Sequence, residues 1–183
     1  MQKHLLHLAT LLLLTLAACH KDDPPQDCPP DLPCATQTGA NTFGCYINGV
    51  PWVAKVEPDV WTPTAHAIAA RYDETSYLSY NNNFVSISGS YYGDEFSYIS
   101  LAFYPLKSIG SIIVDSLGLY RFEYRAPDVL YEIDVMADYN IEITKLDTDH
   151  KILSGKFRFD AKSNAGELIK ITNGRFDVKY NPE

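Results

Sequence analysis

The chain has 183 residues, 15 basic and 23 acidic side chains, a formal net charge of −8, and 46% hydrophobic residues with 13 tyrosines. That is about one domain's length, with enough apolar surface for a core and outside the range of a disordered chain. The acidic balance argues against nucleic acid and against electrostatic docking on an anionic membrane, both of which need a basic patch.

Lys3 precedes an apolar run, Leu5 to Leu16, too short for a stable membrane span but of the length of a signal-peptide core. Leu16-Ala17-Ala18-Cys19 resembles a bacterial lipobox. The resemblance implies cleavage after residue 18 and acylation of Cys19, which then becomes the lipid-anchored N-terminus. Lys21-Asp22-Asp23 resembles the surface-export signal of lipoproteins in Bacteroidota, which implies an outer-membrane protein displayed on the cell surface; a polar linker carries such a triplet without being a signal.

Residues 19–41 hold five of the eleven prolines and almost no large apolar side chain. That composition predicts a disordered tether between the signal peptide, 1–18, and a domain over 42–183. Cys28 and Cys34 enclose Pro29, Pro30 and Pro33, a short stiff loop in an oxidising compartment, so a disulfide between them is a candidate. Cys45 falls in an apolar strand pattern and reads as a buried free thiol.

From Thr42 the pattern alternates. Phe43, Cys45 and Ile47 share a face, Asn48-Gly49 suits a type I′ turn, and Val50 to Val56 returns with Trp52, Ala54 and Val56 aligned, which predicts a hairpin. Pro51 belongs at a strand start or on an edge. Residues 57–66 read as a loop holding Trp61, and 67–72 as a strand or a helical turn. Asn81-Asn82-Asn83 predicts a hairpin loop ahead of Phe84 to Ser90, and Ser97 to Tyr104 aligns Ile99, Leu101 and Phe103. Ile109 to Asp115 reads as a short strand. Tyr120, Phe122 and Tyr124 alternate with Arg121, Glu123 and Arg125, which predicts a strand with a charged outer face. Further alternating runs, near 131–135, 141–146, 152–160, 168–172 and 175–180, complete the chain. No stretch of 12 residues keeps helical periodicity. About ten short strands joined by polar turns predict an all-β domain, an antiparallel β-sandwich, with an up-and-down β-barrel as the alternative.

Two stretches carry a family resemblance. Leu32-Pro33 with the run Ala35 to Gly49 is similar to the opening of an uncharacterised family of small Bacteroidota outer-membrane lipoproteins, and Ile152 to Phe159 with Ile171 to Val178 is similar to its closing strands. The resemblance implies a location and a fold and names no catalytic residue.

No motif defines an active site. Gly89-Ser90-Tyr91-Tyr92-Gly93 places its serine one position early for a nucleophile elbow, and neither a His-Glu-x-x-His pair nor a phosphate-binding glycine loop occurs. Glu74 and Glu95 offer a carboxylate pair for glycoside hydrolysis only if the fold brings them together. Asp147-Thr148-Asp149 and Asp94-Glu95 offer oxygens to calcium, but turn chemistry accounts for the same residues; no metal or other cofactor is expected. Asp115-Ser116-Leu117 resembles an O-glycosylation acceptor with Ser116 as the modified residue, against the plain reading of a turn. The aromatic residues are the stronger pointer. Trp61, Tyr80 and Tyr91 or Tyr92 are candidate ligand-binding residues, because ring faces stack on sugars and extended peptides, and because Tyr91 and Tyr92, as strand neighbours, point to opposite faces. The sequence therefore favours a non-catalytic binding or adhesion module partnered by a glycan or another surface protein, over a structural subunit of an outer-membrane complex and over a hydrolase of glycan or peptide.

Overall fold

A computed structural model describes residues 27–56, 66–73, 84–93, 95–104, 106, 109–113 and 119–181. The described chain is all-β. Its strands are β1 (Thr42–Ile47), β2 (Val50–Val53), β3 (Ile68–Asp73), β4 (Phe84–Tyr92), β5 (Phe96–Tyr104), β6 (Gly110–Ile112), β7 (Leu119–Arg125), β8 (Leu130–Ile133), β9 (Tyr139–Asp147), β10 (Ile152–Ser163) and β11 (Leu168–Lys179). They form one antiparallel sheet in the order β2-β1-β11-β10-β8-β7-β5-β4-β3, with β9 and β6 branching from β10. The sheet curls into a half-barrel whose walls face each other across a single core, which accommodates both architectures expected from the alternation.

The fork follows from the length of β10. One edge of this 12-residue strand pairs along β11, while the other pairs first with β9, through residues 152–159, and then with β8, through Ala161–Ser163. The first hairpin forms as its turn residues dictate: Asn48 and Gly49 both take positive φ, at 50° and 82°, and Cys45 faces Trp52 across the pair. Pro51 sits on β2, at the end of the strand order, where its missing N–H costs no ladder bond.

Two single residues draw the ends of the curled sheet together. Beyond β2, the Lys55 N–H donates to Ser90 O at 2.9 Å and Lys55 O accepts from Tyr92 N–H at 2.8 Å, continuing the edge of β4 where β3 stops. Beyond β11, Asn181 N–H donates to Ala70 O, and its side-chain amide brackets Tyr72, accepting from Tyr72 N–H at 3.2 Å and donating to Tyr72 O at 2.7 Å.

The core is aromatic at its centre. Gly155-Lys156-Phe157 on β10 and Gly174-Arg175-Phe176 on β11 run antiparallel in such register that Phe157 faces Gly174 and Phe176 faces Gly155. Each ring lies over the opposing glycine, where a Cβ would come within 2.4–2.5 Å of it. Phe43 from β1 packs on both rings, at centroid distances of 5.3 and 6.4 Å.

Two expectations differ from the structure. Part of the stretch assigned to the tether, 27–41, runs as a strap over the outer face of β10, β11 and β1. Leu32 is buried, Pro33 packs on Gly44, and Cys28 and Cys34 are joined by a disulfide. Composition hides this because the strap is held by polar contacts. Residues 27–41 are therefore packed on the domain, while residues 19–26, Cys19 among them, lie outside the described residues. The second difference is Glu123, expected on a charged outer face. It stands between Ser100 and Glu132 on that face, yet is only 5% exposed, with its carboxylate accepting from the Tyr98 hydroxyl at 3.1 Å.

Candidate functional site: an aromatic cleft at the barrel mouth

At the end of the half-barrel where β4 and β7 finish and β5 begins, side chains that point inward are no longer covered by the core. There an open cleft of about 540 Å³ is lined by Trp52, Tyr91, Glu95, Ser97, Tyr124, Ala126 and Pro127, within the size range of small-molecule sites. Alternation puts them there. Tyr91 continues the inward row of Val85 and Ile87, Ser97 faces it across β5, and Tyr124 continues the inward row of Phe122.

The cleft wall is fixed by a chain of hydrogen bonds. The Trp52 indole N–H can only donate, and it donates to Ser97 Oγ at 2.9 Å. The Ser97 hydroxyl in turn interacts with the Tyr124 phenol. Tyr124 stacks on Tyr131, with centroids 6.0 Å apart and 26° between planes, and Tyr131 bonds the Glu167 carboxylate. Burial pushes the Tyr124 hydroxyl above its usual range, partly offset by the Ser97 hydrogen bond and reinforced by the nearby Glu95 charge. Tyr131 is raised first by its bond to Glu167 and then by burial. Both phenols are therefore neutral at physiological pH. Glu95 is exposed at the rim and is the one charged group among the described lining residues.

Of the residues singled out from the sequence, the structure brings Tyr91 into this cleft and sends Tyr92 to the outer face. Tyr92, 50% exposed, packs there on Phe96, 40% exposed, at 4.8 Å, and Phe96 meets Tyr98 at 6.1 Å. Trp61, Tyr80, Glu74, Ser116 and Cys19 lie outside the described residues. Cys45 is buried, and burial pushes its thiol up, so it stays protonated and unreactive. The Asp147 carboxylate is engaged by the turn it closes: it accepts from His150 N–H at 3.0 Å, contacts the His150 ring, and lies 3.4 Å from Lys145 Nζ. No group of three or more metal-ligating side chains occurs among the described residues.

Sequence reasoning missed Ser97, Tyr124, Ala126 and Pro127, which read as ordinary strand and turn residues. The signal that identifies them is the cross-strand register, Tyr91 opposite Ser97 and Tyr124 opposite Ile99, which a single sequence does not display. No family model, curated protein or solved structure matches the chain.

Proposed function

We propose that the chain is a lipoprotein of the Bacteroidota type, anchored through Cys19 to the outer membrane and displayed on its surface, where the β-domain acts as a non-catalytic binding module with the mouth cleft as its ligand seat. The observation that carries this reading is the convergence of Trp52, Tyr91 and Tyr124 from three separate strands on one open cleft, with the Trp52 and Tyr124 rings pinned by hydrogen bonds before any ligand arrives. Preorganised aromatic surface is the usual currency of recognition by stacking. Glycoside hydrolysis uses two facing acids, and among the described lining residues Glu95 is the single carboxylate.

Screening the chain against glycan and peptide arrays, with Tyr91→Ala and Tyr92→Ala in parallel, tests the reading. Loss of a captured ligand in the Tyr91 variant alone supports the cleft. The second reading, a structural subunit of an outer-membrane complex, is favoured by the outer-face strip of exposed Tyr92 and Phe96 with half-buried Tyr98, and it predicts loss of a partner in the Tyr92 variant alone.

A further inference from the structure

We infer that the mouth cleft is built for a cationic ligand, an alkylammonium group, rather than for a neutral polyol; this rests on the cleft being the ligand seat. The Trp52 N–H, the one side-chain N–H donor among the described lining residues, is spent within the wall on Ser97. The remaining polar side-chain groups of this surface are the Tyr91, Tyr124 and Ser97 hydroxyls and the Glu95 carboxylate. What it presents is the negative side of chemistry: three aromatic rings, whose faces attract cations within about 6 Å of the centroid, and the Glu95 carboxylate at the rim.

No described lining residue is cationic, so an ammonium group meets no competing charge on that wall. The formal charge of −8 adds a field that concentrates cations near the domain. An alkylammonium fits each of these features, with its methyl or methylene groups against the aromatic and Ala126–Pro127 surface and its charge toward Glu95. The same group occurs on a lysine side chain and on a choline headgroup.

The test titrates the full chain with choline, with Nα-acetyl-lysine N-methylamide, and with 3,3-dimethyl-1-butanol, the uncharged isostere of choline, following the Trp52 indole N–H resonance. The expected result is that a cationic probe moves this resonance and binds at least about tenfold more tightly than the isostere, and that Glu95→Gln lowers its affinity by about tenfold. The probe that binds more tightly assigns the source, headgroup or side chain. Equal binding of the isostere, or an unchanged affinity in Glu95→Gln, overturns the inference. A neutral oligosaccharide that moves the Trp52 resonance when neither cation does also overturns it and leaves the cleft as the ligand seat. If no ligand captured on the arrays moves the resonance, both fail. Glu95 is exposed, so its replacement is expected to leave the fold unchanged, which the dispersion of the remaining resonances verifies.

Discussion

Lys156 and Arg175 stand directly opposite each other on β10 and β11, two cations paired across the outer face, and the strap sets the Asp27 carboxylate between them, 3.2 Å from each. Like charges in register repel, so the strap resolves a conflict that the sheet alone contains. Arg175 is only 4% exposed and also donates to Asp27 O at 2.9 Å. The attraction holds the Asp27 carboxyl below its usual range, with the Lys156 bond as its largest cause. Asp27 itself is half-exposed, so Asp27→Asn should cost about 0.5–1 kcal/mol at low ionic strength and less as salt is raised. Denaturant titrations at two salt concentrations check it.

A deeper anchor of the strap is Asp177, 1% exposed on β11. Its Oδ1 accepts from Gly39 N–H at 2.8 Å and Ser154 Oγ–H at 2.7 Å, and its Oδ2 from the Thr36 hydroxyl at 2.5 Å, Thr38 N–H at 3.0 Å and Ala40 N–H at 3.1 Å. Burial alone raises this carboxyl, but the donors outweigh burial and lower it from 3.8 to about 2. A depressed folded-state value means that Asp177 contributes its full stability above about pH 4 and loses it as pH falls toward 2. The contribution is about 2 kcal/mol. Asp177→Asn should lower stability at pH 7 by a similar amount and flatten the slope between pH 4 and 2, read from urea unfolding across that range.

The reciprocal Phe–Gly pairs predict a steep response in the core. An added Cβ at Gly155 meets the Phe176 ring and the backbone carbonyl of Glu142, both at 2.5 Å, and the carbonyl has no rotamer by which to escape. Gly155→Ala should therefore cost about 2–3 kcal/mol through overpacking. A loss below about 0.5 kcal/mol in thermal or chemical denaturation sinks the pairing as a determinant of the core.

The Cys28–Cys34 bond closes a seven-residue loop at the start of the strap. Chain-entropy arguments give such a loop about 2 kcal/mol. Because the bond lies outside the barrel wall, its removal should loosen 27–35 before it unfolds the sheet. In Cys28→Ser/Cys34→Ser, amide exchange is expected to speed up at Ala35 and Thr36, while Phe157 and Phe176 keep their protection.

Local chemistry made much of this fold legible. Asn48-Gly49 marked the first hairpin, and the alternation of Ile99, Leu101 and Phe103, or of Tyr120, Phe122 and Tyr124, marked strands whose inner faces the structure confirms. Long-range pairing stayed hidden. Asp177 meets its strap partners 137 to 141 residues away in sequence, so the strap looked like a tether when judged by its own prolines. The fork at β10 was equally hidden, since one uninterrupted alternating run gives no sign that its edge changes partners between Phe159 and Ala161. Stretches far apart in sequence meet in space: Pro33 packs on Gly44, and Gly44 pairs with Arg175 on the strand that holds Asp177. For the cleft, Tyr91 and Tyr92 were recognised as opposed neighbours, but only the register added Ser97 and Tyr124 to Tyr91.

The central claim is that ligands enter at the mouth and not on the outer face. Chemical-shift mapping of the labelled chain with any ligand captured on the arrays tests it most directly. Shifts are expected at the Trp52 indole N–H and at the amides of Tyr91, Ser97 and Tyr124, with Phe96 and Tyr98 unmoved. Shifts confined to Tyr92, Phe96 and Tyr98, with the Trp52 indole still, would contradict it.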